Sequence, residues 1–257
     1  KIINWNENQP ADKGFVLGAK SFFPKTHLIG YSSSFVNFNF FFDRQPLFEE
    51  VKKKYIPSEM YLPTKKYFKF FNKYSKNLIS LKEGPLYRFD KLKKIKIKPN
   101  KRLKNILILL PIEFDEVKNI ARYIQSIPEN YKITIKFHPN FTNKEKKLFY
   151  RKFSNLSFTN DTFYNLINKS DIVISNSSST TIESIFYGKQ VICPVNDLKL
   201  ISAPVINFFD KKYYKVAYSP DDIPKIFSKI KNFSKNEITY IENLKNSLFK
   251  EHKYKHL

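Results

Sequence analysis

The sequence predicts an α/β fold whose C-terminal part is an open parallel sheet flanked by helices. Two observations support this prediction. From about residue 103 onward, short apolar runs alternate with segments of helical periodicity. In addition, the run 105–110 (NILILL) is continuously apolar after Asn105, which is typical of a parallel strand that is buried on both faces.

The alternation continues from residue 105 to the end of the chain. Helix 117–124 has one apolar face, because Val117, Ile120, Ala121 and Ile124 recur at helical spacing. The remaining predicted strands are 132–139, 155–158, 171–175 and 190–195. The remaining predicted helices are 143–153, 162–170, 179–188, 220–233 and 235–252.

The sequence of the N-terminal part predicts that it forms a shorter α/β domain. Its predicted elements are a strand in 1–9 that runs into a polar loop, a helix in 11–23 and a strand in 25–31, followed by a region punctuated by Pro46, Pro57 and Pro63. Residues 91–104 are dense in lysine and interrupted by Pro99, so they are the predicted connection between a domain of residues 1–98 and one of residues 99–257. A solvated strand and turn is the alternative interpretation of this segment.

The chain is strongly basic, with a formal net charge of +23 over 257 residues, and such a charge would suit a polyanionic partner. Only five of its 46 basic residues are arginines, however, and arginine is the side chain that best pairs with phosphate and guanine. A specific nucleic-acid partner is therefore not expected, whereas attraction to an anionic membrane stays open.

Three features predict a cytoplasmic location. The lone cysteine, Cys193, excludes an internal disulfide and is typical of a reducing compartment. No apolar run approaches the roughly 20 residues of a membrane span, and the strand-like start KIINW does not predict a signal peptide. A peripheral position on the inner face of the cytoplasmic membrane is the alternative that the positive charge leaves open.

Polar residues follow the predicted strands of the C-terminal domain, at the ends where open parallel sheets bind their ligands. Glu113 follows the first strand, and His138 with Pro139 follows the second. Asp161 follows the third strand, and a cluster of Ser and Thr residues (177–181) follows the fourth. The sequence therefore predicts a pocket at this edge of the sheet.

The hydroxyl cluster suits the binding of an anion. A helix that begins near Ser178 leaves its first backbone N–H groups unpaired, with the positive end of the helix dipole behind them. Small hydroxyl side chains at Ser177, Ser179 and Thr180 add donors there without blocking the approach of a phosphate. The alternative is an ordinary N-cap formed by Ser177 or Ser178, although one hydroxyl would suffice for that role.

Two further residues have both a functional and a structural interpretation. His138 ends a strand and Pro139 fixes the following turn, so the imidazole either donates to a phosphate or ribose oxygen or is incidental. Glu183 lies one helical turn after the cluster. Its carboxylate either reaches a sugar hydroxyl or is favoured there by the helix dipole alone.

The motifs of several other enzyme classes are absent from the sequence. It contains no HExxH, no DxD and no Cys/His ligand set, so no metal or other cofactor is expected. It also lacks a Walker A or GxGxxG loop and the GxSxG of α/β-hydrolases, which argues against ATPases, dinucleotide dehydrogenases and hydrolases of that fold.

Two segments, IKFHPN (135–140) and SDIVISNSSSTTIESIFYGKQVICPV (170–195), resemble the donor-binding domain of GT-B glycosyltransferases. The likeness is to bacterial surface-carbohydrate enzymes of the sialyltransferase and Kdo-transferase types. It implies a Rossmann-type donor domain in which His138 acts in catalysis on a CMP-activated sugar acid. The implied donor-binding residues are Pro139, Ser177, Ser178, Ser179 and Thr180, with Glu183 near the ribose.

Residues 3–31, together with LKEGPLYRF (81–89), resemble the acceptor-side domain of the same enzymes. The resemblance implies that Glu7 is the base that takes the proton of the acceptor hydroxyl, and a plain loop carboxylate is the alternative. It gives Asn8, Gln9 and Arg88 the role of positioning the acceptor. The domain is shorter than the full Rossmann unit of the family, so it is expected to be a short or truncated member.

These resemblances predict a metal-independent glycosyltransferase. Its nucleotide-sugar donor would be a substrate, and the resemblance implies a CMP-linked 2-keto sugar acid of the Kdo or sialic-acid kind. Its acceptor would be a surface glycan or glycolipid, as in lipopolysaccharide or capsule. The alternatives are a TagF-like CDP-polyol phosphotransferase, whose later motif usually reads Asp-Tyr-Ser-Ser rather than SNSSS, and a non-catalytic nucleotide- or carbohydrate-binding module.

Overall fold

Two parallel sheets organise the chain in the computed structural model, which describes residues 1–37, 44–97, 102–112, 114–154 and 156–249. Unit 1 comprises Lys1–Lys94 and the chain from Lys245, and unit 2 comprises Ile95–Leu244. Both units combine parallel strands with helices, so the predicted α/β class is confirmed. The acceptor and donor roles given to the predicted domains 1–98 and 99–257 stay predictions.

Unit 1 contains a four-stranded parallel sheet whose strands are neighbours in chain order, β1-β2-β3-β4. The strands are β1 (Ile2–Trp5), β2 (Leu28–Tyr31), β3 (Glu59–Leu62) and β4 (Ser80–Glu83). The helices are α1 (Pro10–Phe22), α2 (Phe48–Lys52), α3 (Phe68–Ser75) and α4 (Asp90–Lys93). The predicted helix and the first two predicted strands are confirmed.

The two faces of the edge strand β1 are unequally covered. Strands that follow one another in one direction through right-handed crossovers place their connecting helices on the same side. On that side, Val16 of α1 packs against Leu28 of β2. The opposite face carries Ile3 and Trp5, whose side chains are almost half exposed. The alternating exposure along β1 therefore reflects its position at the edge of the sheet, since Ile29 of β2, the neighbour of Ile3, is fully buried.

Unit 2 contains a six-stranded sheet in the order β10-β9-β8-β5-β6-β7, and all neighbouring strands are parallel. Its strands are β5 (Asn105–Leu109), β6 (Lys132–Lys136), β7 (Ser157–Thr159), β8 (Ile172–Ile174), β9 (Gln190–Pro194) and β10 (Tyr214–Ala217). The helices that follow unit 1 in the chain are α5 (Phe114–Gln125), α6 (Asn143–Lys152), α7 (Phe163–Ile167), α8 (Thr180–Phe186), α9 (Asp222–Lys229) and α10 (Lys235–Leu248). Across the described ranges, no helix is both long and apolar enough to cross a bilayer.

The core of unit 2 confirms the predicted apolar face of α5. Val117, Ile120, Ala121 and Ile124 are all buried and belong to one cluster with residues of the sheet. Strand β5 is buried at every position after Asn105. The continuous apolar run of the sequence thus corresponds to a central strand that is covered on both faces.

The strand order of unit 2 contains one reversal. Strands β5, β6 and β7 are neighbours in chain order, and the next strand, β8, lies on the other side of β5. The connections that leave β5 and β8 therefore diverge, and a crevice opens between them at the carboxyl ends of the two strands. This crevice is the usual ligand-binding position in an open α/β sheet.

Six described elements were not predicted from the sequence: α2, β3, α3, β4, α4 and β10. Of these, strands β3 (EMYL) and β10 (YKVA) mix polar and apolar residues and lack the continuous apolar run that identified β5. A further difference concerns Asp90–Lys93, which form α4. The extended alternative for the lysine-rich segment is therefore wrong at its beginning.

We expect Leu107→Ala to destabilise unit 2 by about 2–5 kcal/mol, because Leu107 is fully buried in a central strand. Cys193 is the lone cysteine, and burial raises its pKa to about 12, so the folded thiol is unreactive. Its reaction with a thiol reagent across a denaturant series therefore reports the unfolding of unit 2.

The control, Leu148→Ala at a half-exposed position of α6, should change the unfolding free energy by less than about 0.5 kcal/mol. Equal effects of the two substitutions would contradict this placement of β5.

Candidate functional site

The hydroxyl cluster forms a hydrogen-bonded turn between β8 and α8. The hydroxyl of Ser178 accepts from the backbone N–H of Thr180 at 3.3 Å and from the Thr180 hydroxyl at 2.9 Å. The hydroxyl of Thr181 donates to the Ser178 carbonyl at 2.8 Å. Helix α8 begins at Thr180 with Ser179 as its N-cap, slightly later than predicted, because Ser178 caps the first N–H through a local serine turn.

A buried pair of polar residues, Asn176 and Ser202, fixes the position of this turn. The Ser202 hydroxyl donates to Oδ1 of Asn176 at 2.7 Å and accepts the backbone N–H of Ser177 at 3.1 Å. Both side chains are almost completely buried, so breaking these bonds would leave polar atoms without water. The turn is therefore held against the chain that follows β9.

The donors that stay available to a ligand are fewer than the five hydroxyls suggest. In the part of the chain that the structure describes, neither the backbone N–H nor the hydroxyl of Ser179 has a hydrogen-bond partner. The hydroxyl of Ser177 points instead to a carboxylate oxygen of Glu116, 3.4 Å away. An anion would therefore be favoured at Ser179 and disfavoured beside Ser177, where it would meet the negative charge of Glu116.

His138 lies just beyond the end of β6 and is half-buried. Its Nδ1 accepts the backbone N–H of Asn140 at 3.3 Å, so the proton of the neutral ring is on Nε2, which is then a donor. Burial lowers the pKa of His138, and the positive charge of Lys136 lowers it further. The imidazole is therefore neutral at neutral pH, and Pro139 beside it is exposed.

The sheet brings His138 and the hydroxyl turn to the same edge. They follow β6 and β8, the two strands that pair with β5 on either side. With neighbouring strands about 4.8 Å apart, the ends of β6 and β8 are separated by about 10 Å. The end of β5 lies between them. Glu113, which was predicted to join this group, lies outside the described residues.

Asp161 follows β7 at the same edge but is engaged in capping α7. Its carboxylate accepts from the Asn165 side chain at 2.8 Å and from the Thr162 N–H at 2.7 Å, and these bonds lower its pKa in that order. Because β7 is an edge strand, Asp161 lies one strand beyond His138 and away from the crevice. Its described contacts are those of a cap, and donor binding by Asp161 stays a prediction.

Glu183 is buried inside the helical layer rather than projecting from the turn. Its Oε2 accepts the hydroxyl of Tyr164 on α7 at 3.2 Å. Burial, followed by the charge of Glu183, raises the pKa of Tyr187 to about 12. The contact with Tyr164 ties α8 to α7, and the predicted contact with a ribose stays a prediction.

The residues predicted for the acceptor side lie in unit 1. Glu7 follows β1, and its carboxylate accepts the hydroxyl of Ser34 at 2.6 Å and forms an ion pair with Arg44. Asn8 adopts the left-handed conformation with φ of 62°, and the Gln9 N–H donates to a carboxylate oxygen of Asp12 at 2.9 Å at the start of α1.

Arg88 is exposed and follows β4. Strands β1 and β4 are the two edges of the sheet, so about 14 Å of strand spacing separates Arg88 from the group around Glu7. The structure therefore brings Glu7, Asn8 and Gln9 together and places Arg88 apart from them.

Sequence reasoning missed four residues that shape these surroundings: Ser34, Arg44, Tyr164 and Ser202. Each contacts its predicted partner from a distant part of the chain, as Ser202 does with Ser177. No local pattern indicates such contacts. Lys136, by contrast, directly precedes the FHP segment, and a lysine at the end of an otherwise apolar strand was a signal that could have been used.

We expect His138 to titrate below its ordinary pKa of about 6.5, and Lys136→Gln to raise that pKa, because the substitution removes a positive charge that opposes protonation. An NMR titration of the imidazole resonances measures both values. Lys132→Gln, at the far end of the same strand, removes the same charge and should leave the pKa of His138 nearly unchanged. Equal shifts in the two variants would contradict a local effect of Lys136.

Comparison of the sequence with protein-family models and with curated proteins finds no match. Comparison with solved structures finds similar chains. One, described as "Trehalose-6-phosphate from E. coli bound with UDP-2-fluoro glucose", has 9% identity and a TM-score of 0.55 over 92% of this chain and 67% of that chain. Another, Anabaena Alr3699/HepE in complex with UDP-glucose, has 10% identity and a TM-score of 0.55 over 93% of this chain and 71% of that chain. The likeness concerns the fold, and the predicted GT-B-like fold is confirmed.

Proposed function

We propose that the protein is a glycosyltransferase that uses a sugar activated by a pyrimidine nucleotide. One observation carries this proposal. The strand order of unit 2 places the turn at 177–180 and His138 on either side of the end of β5, at the crevice where open α/β sheets bind their ligands.

The chemistry of the two groups suits the phosphate of such a donor. The N–H and hydroxyl of Ser179 at the turn and the Nε2–H of His138 are hydrogen-bond donors, and a leaving nucleotide gains negative charge as its bond to the sugar breaks. Donors that are already fixed in position stabilise that charge without reorganising. The anchoring of the turn by Ser202 supports this role.

The identity of the nucleotide has two lines of support. The structural neighbours reported above were solved with UDP-2-fluoro glucose and UDP-glucose, which supports a UDP-sugar. The resemblance of the HP and Ser/Thr segments to sialyltransferase and Kdo-transferase enzymes supports a CMP-linked sugar acid. UDP and CMP are both pyrimidine nucleotides. We infer that selectivity between a UDP-linked and a CMP-linked donor comes from contacts outside the phosphate.

On the acceptor side we propose Glu7 as the base. It would take the proton of the acceptor hydroxyl while that oxygen bonds to the anomeric carbon and the bond from this carbon to the phosphate oxygen breaks. The nucleotide leaves with the electron pair. A carboxylate can accept about four hydrogen bonds, so the bonds from Ser34 and Arg44 leave room for an acceptor hydroxyl. The proposed acceptor is a bacterial surface glycan or glycolipid.

Calorimetric titration with UDP, CMP and CDP tests the donor site. We expect Ser179→Asp to weaken nucleotide binding by about 10- to 100-fold, because it places a negative charge where the phosphate is proposed to bind, and His138→Ala to weaken it by about tenfold. Ser157→Asp adds the same charge at the opposite edge of the same sheet and should have little effect. Binding that is absent in the wild type, or equally sensitive to both aspartate substitutions, would contradict the proposal.

Turnover of UDP- and CMP-sugars in the presence of EDTA tests the reaction. We expect Glu7→Gln to reduce kcat at least about 100-fold while nucleotide affinity is unchanged, because the amide cannot take a proton. Unchanged turnover would contradict the role of Glu7 as the base and would indicate a loop carboxylate that contacts Ser34 and Arg44. Tight nucleotide binding with no transfer from any donor would instead favour a non-catalytic module, and transfer from a CDP-polyol would favour the phosphotransferase.

A further inference from the structure

The amino-terminal edge of the unit 1 sheet carries an unusual combination of side chains. Three segments meet there: 22–27 before β2, 52–58 before β3 and 73–79 before β4. Together they form what we call the basic edge. None of the three contains an aspartate or a glutamate, although acidic residues make up 23 of the 257 residues of the chain.

The three segments are neighbours in space as well as in topology. The strands they precede are consecutive in the sheet. Nζ of Lys20, at the end of α1, donates to the carbonyls of Lys54 and Ile56 at 2.9 and 3.0 Å. The N–H of Ser80 donates to the carbonyl of Ser58 at 2.9 Å. The first two segments are thus joined through α1, and the last two through the start of β4.

Large apolar side chains project from this edge into solvent. Phe22 is 81% exposed, Phe23 is 59% exposed and Leu78 is 54% exposed. Tyr74 is also exposed. Phenylalanines at this level of exposure gain nothing from folding, and clusters of them mark surfaces that contact an apolar phase or a partner.

Exposed lysines lie between these apolar residues. They are Lys25, Lys52, Lys53, Lys54, Lys73 and Lys76. Three carboxylates lie next to this group. Glu59 at the start of β3 is 3.5 Å from His27 and 3.0 Å from Lys82. Glu50 on α2 forms an ion pair with Lys13. The third, Glu49 on α2, is one exposed carboxylate beside six exposed lysines, so the edge keeps a positive charge.

We propose that the basic edge is a membrane-binding surface for anionic phospholipids. Lysines attract the negative headgroups, and exposed aromatic and aliphatic side chains enter the boundary between headgroups and acyl chains. A nucleic acid is less favoured, because the cations are all lysines and the apolar residues have no counterpart in a phosphate backbone. The carboxyl edge of the same sheet, where Glu7 lies, is at the opposite end of the strands. This proposal is independent of the donor site.

Flotation of the full chain with vesicles tests the proposal. Vesicles of phosphatidylcholine alone are compared with vesicles in which about a third of the lipid is phosphatidylglycerol. We expect binding to the anionic vesicles only, weakening as salt is added. Lys52→Glu with Lys53→Glu should lower the partition coefficient by at least about 25-fold, because the loss of each lysine alone lowers it about fivefold. Phe22→Ser with Phe23→Ser should lower it as well and should abolish the part of the binding that persists at high salt.

A matched control separates this surface from the overall charge of the chain. Lys144→Glu with Lys147→Glu makes the same change of charge on exposed lysines of α6 in unit 2, and its binding should stay within about twofold of the wild type. Circular dichroism melts check that each variant is folded. Equal losses in the two lysine pairs would overturn the proposal, and so would equal binding to neutral vesicles. A DNA duplex that binds more tightly than the vesicles, and whose binding the Lys52/Lys53 variant loses, would overturn it in favour of a nucleic-acid surface.

Discussion

The backbone pairing of β8 with β5 is the interaction on which the candidate site depends. Its register places Ile106, Leu107 and Ile108 opposite Ile172, Val173 and Ile174. All six side chains are buried, so packing on both faces holds the two strands in place. Strand β8 ends at Ile174, which pairs with Ile108. The hydroxyl turn that follows it therefore lies at the carboxyl edge of the sheet. The reversal of strand order at this pair is what makes the edge a crevice.

The elements of unit 2 could be predicted where the local hydrophobic pattern was clear. Strand β5 has a continuous apolar run, and the buried face of α5 has four apolar residues at helical spacing. Strands β3 (EMYL) and β10 (YKVA) were missed because they mix polar and apolar residues and their neighbours in the sheet come from elsewhere in the chain. Local sequence therefore indicated most elements but not the full size of either sheet.

The candidate site was predictable in its location and less so in its detail. The rule that ligands bind at the carboxyl ends of parallel strands selected His138 and the hydroxyl cluster from the sequence. It could not show that Ser178 and Thr180 hydrogen-bond to each other, or that Ser202, which follows β9 in the chain, anchors the turn. These bonds distinguish Ser179 from the other hydroxyl residues, because its donors have no described partner. A turn that is fixed by its own hydrogen bonds is well suited to stabilising a developing charge.

The central claim is that a pyrimidine nucleotide binds at this turn, and amide NMR of the full chain with UDP or CMP added in steps tests it most directly. The account predicts that the largest shifts occur at Ser178, Ser179 and Thr180, with smaller ones at His138 and at the end of β5, and little change at Lys132 and Ser157 on the opposite edge. Shifts confined to the opposite edge, or no saturable shift with either nucleotide, would contradict it.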